Sequence, residues 1–126
     1  MDSEYKMLRT KGGKTAFAIV GVTAHEGQGI RWHESLSIVR RLYETPVETG
    51  IERALREHME RGGPNRSIEV TKLVESPSDT KEDAVRCASA LATWKALGHL
   101  ESESRIVFQG ENWDVLFPRD SFGHEF

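Results

Sequence analysis

The sequence predicts an α+β fold, a mostly antiparallel sheet with two helices packed on one face. Three observations predict it. Short β-branched or alternating apolar runs recur at 15–24, 30–36, 66–75 and 105–117. Two stretches, 45–63 and 83–98, carry helical periodicity. Their order, strand–strand–helix–strand–helix–strand–strand, does not alternate regularly as a parallel α/β fold would. The 126 residues suit one domain spanning 1–126, with no repeat, linker or low-complexity segment.

The run 15–24, TAFAIVGVTA, is apolar, with β-branched and aromatic residues, and reads as a buried strand. HEGQG at 25–29 is a glycine turn, and IRWHESL at 30–36 alternates, with Ile30 and Trp32 on one face and Arg31 and His33 on the other. It is expected to pair antiparallel with the first strand. In 45–63, Thr45 is placed as N-cap, Pro46 at the first helical position and Glu48 to close a capping box. Val47, Ile51, Leu55 and Met59, with Ala54 beside them, form the apolar stripe; Glu52–Arg56 and Glu57–Arg61 are spaced as ion pairs on the wet side. Gly62 and Gly63 end this helix.

RSIEVTKLVE at 66–75 alternates, with Ile68, Val70 and Val74 pointing one way. SPSDTKED leads into the second helix, capped by Asp79 or Thr80 and rich in small residues (Ala84, Ala88, Ala90, Ala92) that let a helix lie close on a sheet. Gly98 stops it. Two short strands, about 105–109 and 113–117, flank GEN, and the tail SFGHEF is expected to fray.

With 37% hydrophobic and 29% charged residues, the composition is that of a globular chain. No apolar run approaches the roughly 20 residues of a membrane span. The start has no signal-peptide core, and the single cysteine, Cys87, has no disulfide partner; a cytoplasmic location away from membranes is expected. The net charge of −3 does not advertise nucleic-acid binding, but its distribution is uneven. Lys6, Arg9, Lys11 and Lys14 make the start basic, whereas Glu101, Glu103, Glu111, Asp114, Asp120 and Glu125 make the end acidic against Arg105 and Arg119.

Candidate chemistry is sparse. His25–Glu26 and His33–Glu34 sit on consecutive elements but lack a metal-ligand spacing. They read as surface or hydrogen-bonded histidines, and they are the sole candidate for an enzyme site. Cys87, on an alanine-rich helix face, reads as a buried small hydrophobe. GGKT at 12–15 echoes a phosphate loop but precedes a strand, so the helix N-terminus that would hold a phosphate is missing. Trp32, Trp94 and Trp113 are stacking platforms by residue type, and core residues by the more common use. No catalytic residue, metal ligand or cofactor is assigned.

Four stretches together resemble the fourth domain of translation elongation factor G and its archaeal and eukaryotic counterpart. RTKGGKTAFAIVGV looks like that family's double-glycine loop entering a strand, and EGQGIRWHESL like its glycine turn and next strand. PVETGIERALR is similar to the start of its first helix; IEVTKLVES followed by DAVRCASALATWKALG resembles its third strand and alanine-rich second helix. The resemblance covers about residues 8–98, leaving a C-terminal hairpin at about 100–120 unmatched. It implies a two-layer sandwich with a left-handed βαβ crossover, the ribosomal-protein-like second-domain fold, where the usual rule gives a right-handed one. It also implies a non-enzymatic module that contacts ribosomal or transfer RNA through two tip loops, from two ends of the sheet. The first is Arg9–Thr15, with Arg9, Lys11 and Lys14 as phosphate contacts and Gly12 and Gly13 permitting close approach. The second is Glu75–Asp83, with Ser76, Ser78, Asp79 and Lys81.

The chain departs from the family in places. Its second tip loop lacks the usual histidine and aromatic residue and carries acids. SIVRRLYETP has Arg40–Arg41 in place of a glycine pair, and no GTPase domain accompanies the motifs, so translocation by this chain alone is not expected. The acidic end and altered loop keep a second expectation open, a protein-interaction module on the same scaffold with the RNA surface lost.

Overall fold

The double glycine is the turn of a hairpin. In the computed structural model, which describes residues 1–118 and 120, β1 (Asp2–Lys11) pairs antiparallel with β2 (Lys14–Glu26) along its whole length. Gly12 and Gly13 take φ of +61° and +78°, the two left-handed positions of a two-residue turn that continues the strand twist. The residues ahead of the glycines are therefore strand rather than loop. Tyr5 and Met7 are buried on one face while Lys6 and Leu8 are exposed on the other.

The sheet order is β1-β2-β4-β3, with β4 (Arg66–Val74) antiparallel to β2 and the short β3 (Ile30–Trp32) parallel to β4. The expected antiparallel pair between the strand at 15–24 and that at 30–36 does not form. Both edges of β2 are taken by long antiparallel partners, so β3 cannot pair with it and joins instead at the outer edge of β4. After β3, His33 and a single 3-10 turn (Glu34–Leu36) lead into α1 (Ser37–Glu60), which makes the crossover from β3 to the parallel β4.

That helix begins eight residues before the expected cap. Pro46 lies inside it, where it removes a backbone hydrogen bond, and its burial together with Val47 against the core offsets the loss. Thr45 is therefore exposed helix, not a cap, and Glu48 accepts the Trp32 indole N–H at 2.9 Å instead of closing a capping box. Val47, Ile51, Ala54 and Leu55 are buried as expected, but Met59 is 45% exposed and Glu57 is buried rather than on the wet side. Arg61 pairs with Glu103 at 2.9 Å.

The β2–β4 register jumps at Gly21, which pairs with Lys72 while Val22 pairs with Val70. Thr71 is the extra residue of a bulge, and it reverses the parity of β4. Ile68 and Val70 face the helices, but beyond the bulge Leu73 is buried and Val74 is turned outward, opposite to the expected alternation.

α2 (Glu82–Ala96) lies over β1 and β2 beside α1, giving two helices on one face of the sheet. The helices meet at Gly50, where an added Cβ would lie 2.4 Å from the Arg86 carbonyl oxygen. Lys81 precedes α2 with no side-chain cap. Asp79 and Thr80 bond elsewhere: the Asp79 carbonyl accepts from Phe17 N–H at 3.1 Å, and the Thr80 hydroxyl donates to Phe17 O at 2.6 Å. Gly98, at φ +93°, follows the helix as predicted.

β5 (Arg105–Gln109) and β6 (Asn112–Leu116) form a separate two-stranded hairpin that packs on α2 and does not extend the main sheet. Its turn is Gly110–Glu111, one residue shorter than GEN. Phe117 is fully buried against Trp94, and Arg53 of α1 holds Asp114 at 3.0 Å and Asp120 at 2.5 Å. The acidic end is thus neutralised partly by a helix arginine rather than by the basic start. The tail 121–126 lies outside the described residues. The architecture is the α+β sandwich that the sequence predicts.

Candidate functional site

Strand direction decides where the loops go. β1 runs up to its turn, β2 runs down from it, and β4 runs up again alongside β2. The Gly12–Gly13 turn and the 75–81 loop therefore occupy the same end of the sheet, not two ends. Two hydrogen bonds, from the Phe17 N–H to the Asp79 carbonyl and from the Thr80 hydroxyl to the Phe17 carbonyl, tie one to the other. The β5–β6 turn completes this end as a third wall: Asp83 accepts the backbone N–H of Trp113 at 2.9 Å, and Arg86 donates to the Trp113 carbonyl at 3.0 Å.

The three turns enclose a cleft of about 330 Å³. Lys11 and Lys14 are direct cross-strand partners, so both side chains leave the same face of the hairpin, and Lys81 enters from the start of α2. None of these three lysines is in a salt bridge among the described residues. Asp79, Asp83 and Glu111 supply opposing charge in the same cleft, and Phe108 and Trp113, stacked edge to face at 5.1 Å, form its aromatic wall.

The structure thus brings together Lys11 and Lys14 from the first predicted loop with Asp79 and Lys81 from the second. Gly12 and Gly13 do not line the cleft but make the turn between Lys11 and Lys14, where an added Cβ meets no atom within 4 Å and the backbone is constrained only by positive φ. Arg9 is elsewhere, with its guanidinium donating to the Tyr5 hydroxyl and the Leu8 carbonyl, each at 3.1 Å. Ser76 and Ser78 do not line the cleft: the Ser76 backbone carbonyl accepts from the Asp79 and Thr80 N–H groups inside the loop, and Ser78 is exposed. Of the other cleft residues, sequence reasoning picked Trp113 only as a stacking platform by type and Asp83 only as the end of the second loop, and it missed Phe108 and Glu111 as site residues. The glycine-containing turn at 110–112 was the available signal, but nothing in it says which end of the fold the hairpin joins.

The remaining candidates separate. β4 stands between His25 and His33: His25 lies 3.6 Å from Glu69, whereas His33 bonds to Ser35. No group of three metal-ligating side chains occurs among the described residues. Cys87 is 1% exposed, and burial pushes its thiol up to about 12, far from a reactive thiolate. Trp94 is core, stacked on His99 at 3.8 Å, and Trp32 is held by Glu48. No helix among the described residues is long and apolar enough to cross a membrane.

No protein-family model matches the chain, and no curated protein matches it. Among solved structures it is similar to the crystal structure of ttk003000868 from Thermus thermophilus, with a TM-score of 0.63 and 20% sequence identity over 90% of this chain. The match spans 22% of that protein, so this fold there makes up about a fifth of a longer chain. At that identity the likeness is one of fold.

Proposed function

We propose that the chain is a non-enzymatic binding module whose loop end contacts ribosomal or transfer RNA, in the manner of the elongation factor G domain that its motifs resemble. The observation that carries this reading is the convergence of Lys11, Lys14 and Lys81 beside an open double-glycine turn, with no salt bridge to any of the three among the described residues. Lysines in such a setting offer phosphate contacts, while the glycine backbone and the Phe108–Trp113 wall offer close approach and stacking. The occurrence of the same fold as a fifth of a longer Thermus protein agrees with a module.

The three acids of the cleft favour a second reading, a protein partner that itself carries mixed charge. Co-sedimentation with small ribosomal subunits, at low and moderate salt, decides between them. The RNA reading predicts salt-sensitive co-sedimentation that the Gly12→Asp, Lys14→Glu double variant loses. Absence of co-sedimentation at low salt removes that reading and leaves the protein partner.

A further inference from the structure

The outward face of α1 is amphipathic in an unusual way. Ile38 is 78% and Leu42 61% exposed at one end, and Met59 is 45% exposed at the other. Alternating steps of four and three residues lead from Ile38 and Leu42 by way of Thr45, Thr49, Glu52 and Arg56 to Met59, the spacing of a helix-pairing seam with polar residues at its centre. The two apolar ends lie about 30 Å apart along the axis at about 1.5 Å per residue. They also differ in shape. Ile38 and Leu42 stand up as a ridge, whereas Leu55, Met59 and Ile30 of β3 line an open groove of about 660 Å³.

Charge follows the same division. The groove is walled by Glu48, Glu52 and Glu60 against Arg56 alone. Beside the ridge, Arg41 is exposed and in no salt bridge among the described residues, while Arg40 is paired with Glu44 at 2.8 Å. An apolar ridge with a cation and an apolar groove with acids, on one helix and at opposite ends, are complementary under a two-fold axis.

We propose that the chain forms a two-fold dimer in which α1 pairs antiparallel with α1 of a second copy, each copy seating Ile38 and Leu42 in the partner's Ile30–Leu55–Met59 groove. In that register Arg41 lies level with Arg56 of the second copy and between its Glu52 and Glu60, one turn to either side, so two arginines meet two acids at each end and every contact is made twice. Because α1 runs away from the loop end, the dimer presents its two clefts at opposite poles and covers neither. The proposal is independent of what the cleft binds.

Sedimentation equilibrium on the full chain tests it, with Ile38→Glu and Met59→Glu run beside wild type. The ridge and groove substitutions are on exposed side chains, and circular dichroism checks that each variant is folded. The expected wild-type mass is twice 14.2 kDa, with each variant weakened at least tenfold in dimer affinity. A second arm fixes the register: Ile38→Cys chains mixed with Met59→Cys chains are oxidised, the buried Cys87 staying inert. Disulfide-linked pairs are expected from the mixture and not from Ile38→Cys alone. A wild type that stays at 14.2 kDa up to about 100 µM overturns the proposal, as does a dimer that both glutamate variants leave intact. Crosslinking of Ile38→Cys to itself in place of the mixed pair overturns the antiparallel register.

Discussion

The carboxylate of Asp83, in the first turn of α2, accepts the backbone N–H of Trp113 at 2.9 Å. This bond joins the C-terminal hairpin to the end of the sheet where the other two turns meet, and it makes a three-walled cleft out of two loops. A hydrogen bond to a charged acceptor of this kind contributes about 1.5–3 kcal/mol. Asp83→Ala is expected to release the hairpin locally, with faster amide exchange confined to 105–116 and little change in the β1–β2 ladder. Uniform acceleration across the sheet would mean that the bond supports the whole fold instead of the wall.

Gly50 is where α1 and α2 touch. A Cβ there would lie 2.2 Å from the Ser89 hydroxyl and 2.4 Å from the Arg86 carbonyl, and backbone cannot swing aside as a side chain can. Gly50→Ala should therefore cost about 1–3 kcal/mol despite the better helix propensity of alanine, read as a lower urea midpoint. An alanine that raises the midpoint would show that the helices sit farther apart.

Acid sensitivity should centre on His99, at the base of the fold. The His58 Nε2–H donates to the Pro64 carbonyl at 3.1 Å, so its Nδ1 accepts from the His99 Nε2–H at 2.8 Å. Burial chiefly, then the His58 and Arg61 charges, lower the His99 pKa from 6.5, while Glu103 pulls it up. A depressed folded-state value means that the unfolded chain takes up the proton first. This contribution is complete above about pH 6.5 and is lost as pH falls through the folded-state value. Urea midpoints of wild type should drop between about pH 7 and 5, and His99→Gln, whose amide can still donate to His58, should flatten that drop. An equal drop in both proteins would place the acid sensitivity elsewhere.

Glu111 holds a left-handed φ of 75° and adds an acid to the lysine cleft. Glu111→Asn keeps a residue that tolerates this conformation and removes the charge. It should raise stability by up to about 1 kcal/mol and tighten anion or RNA binding together. Greater stability with weaker binding would count against the cleft as an anion site.

Much of the architecture can be read from local pattern, because buried strands and an alanine-rich helix announce themselves. The run 15–24, the strand at 66–74 and the helix ending before Gly98 are all where periodicity puts them. Pattern fails where a local signal has two uses. Thr45–Pro46–Glu48 has the composition of a helix start, yet the chain before it is already helical. The glycine pair signals both a loop and a two-residue hairpin; the alternation of Tyr5 and Met7 with Lys6 and Leu8 is what separates the two. The bulge at Thr71 leaves no mark in composition, though it inverts the faces of Leu73 and Val74. For the candidate site, Lys11, Lys14 and Lys81 can be picked by charge, but their meeting depends on strand direction, and the third wall depends on Asp83, a long-range bond that no spacing reveals.

The most direct measurement is the affinity for small-subunit ribosomal RNA as a function of salt, for wild type and for the Lys11→Ala, Lys14→Ala, Lys81→Ala triple variant. If the three lysines each neutralise a phosphate, log K should fall with log salt at a slope of about −2, and the triple variant should bind weakly with a slope near zero. Equal slopes in the two proteins, or no wild-type binding at low salt, would contradict the account.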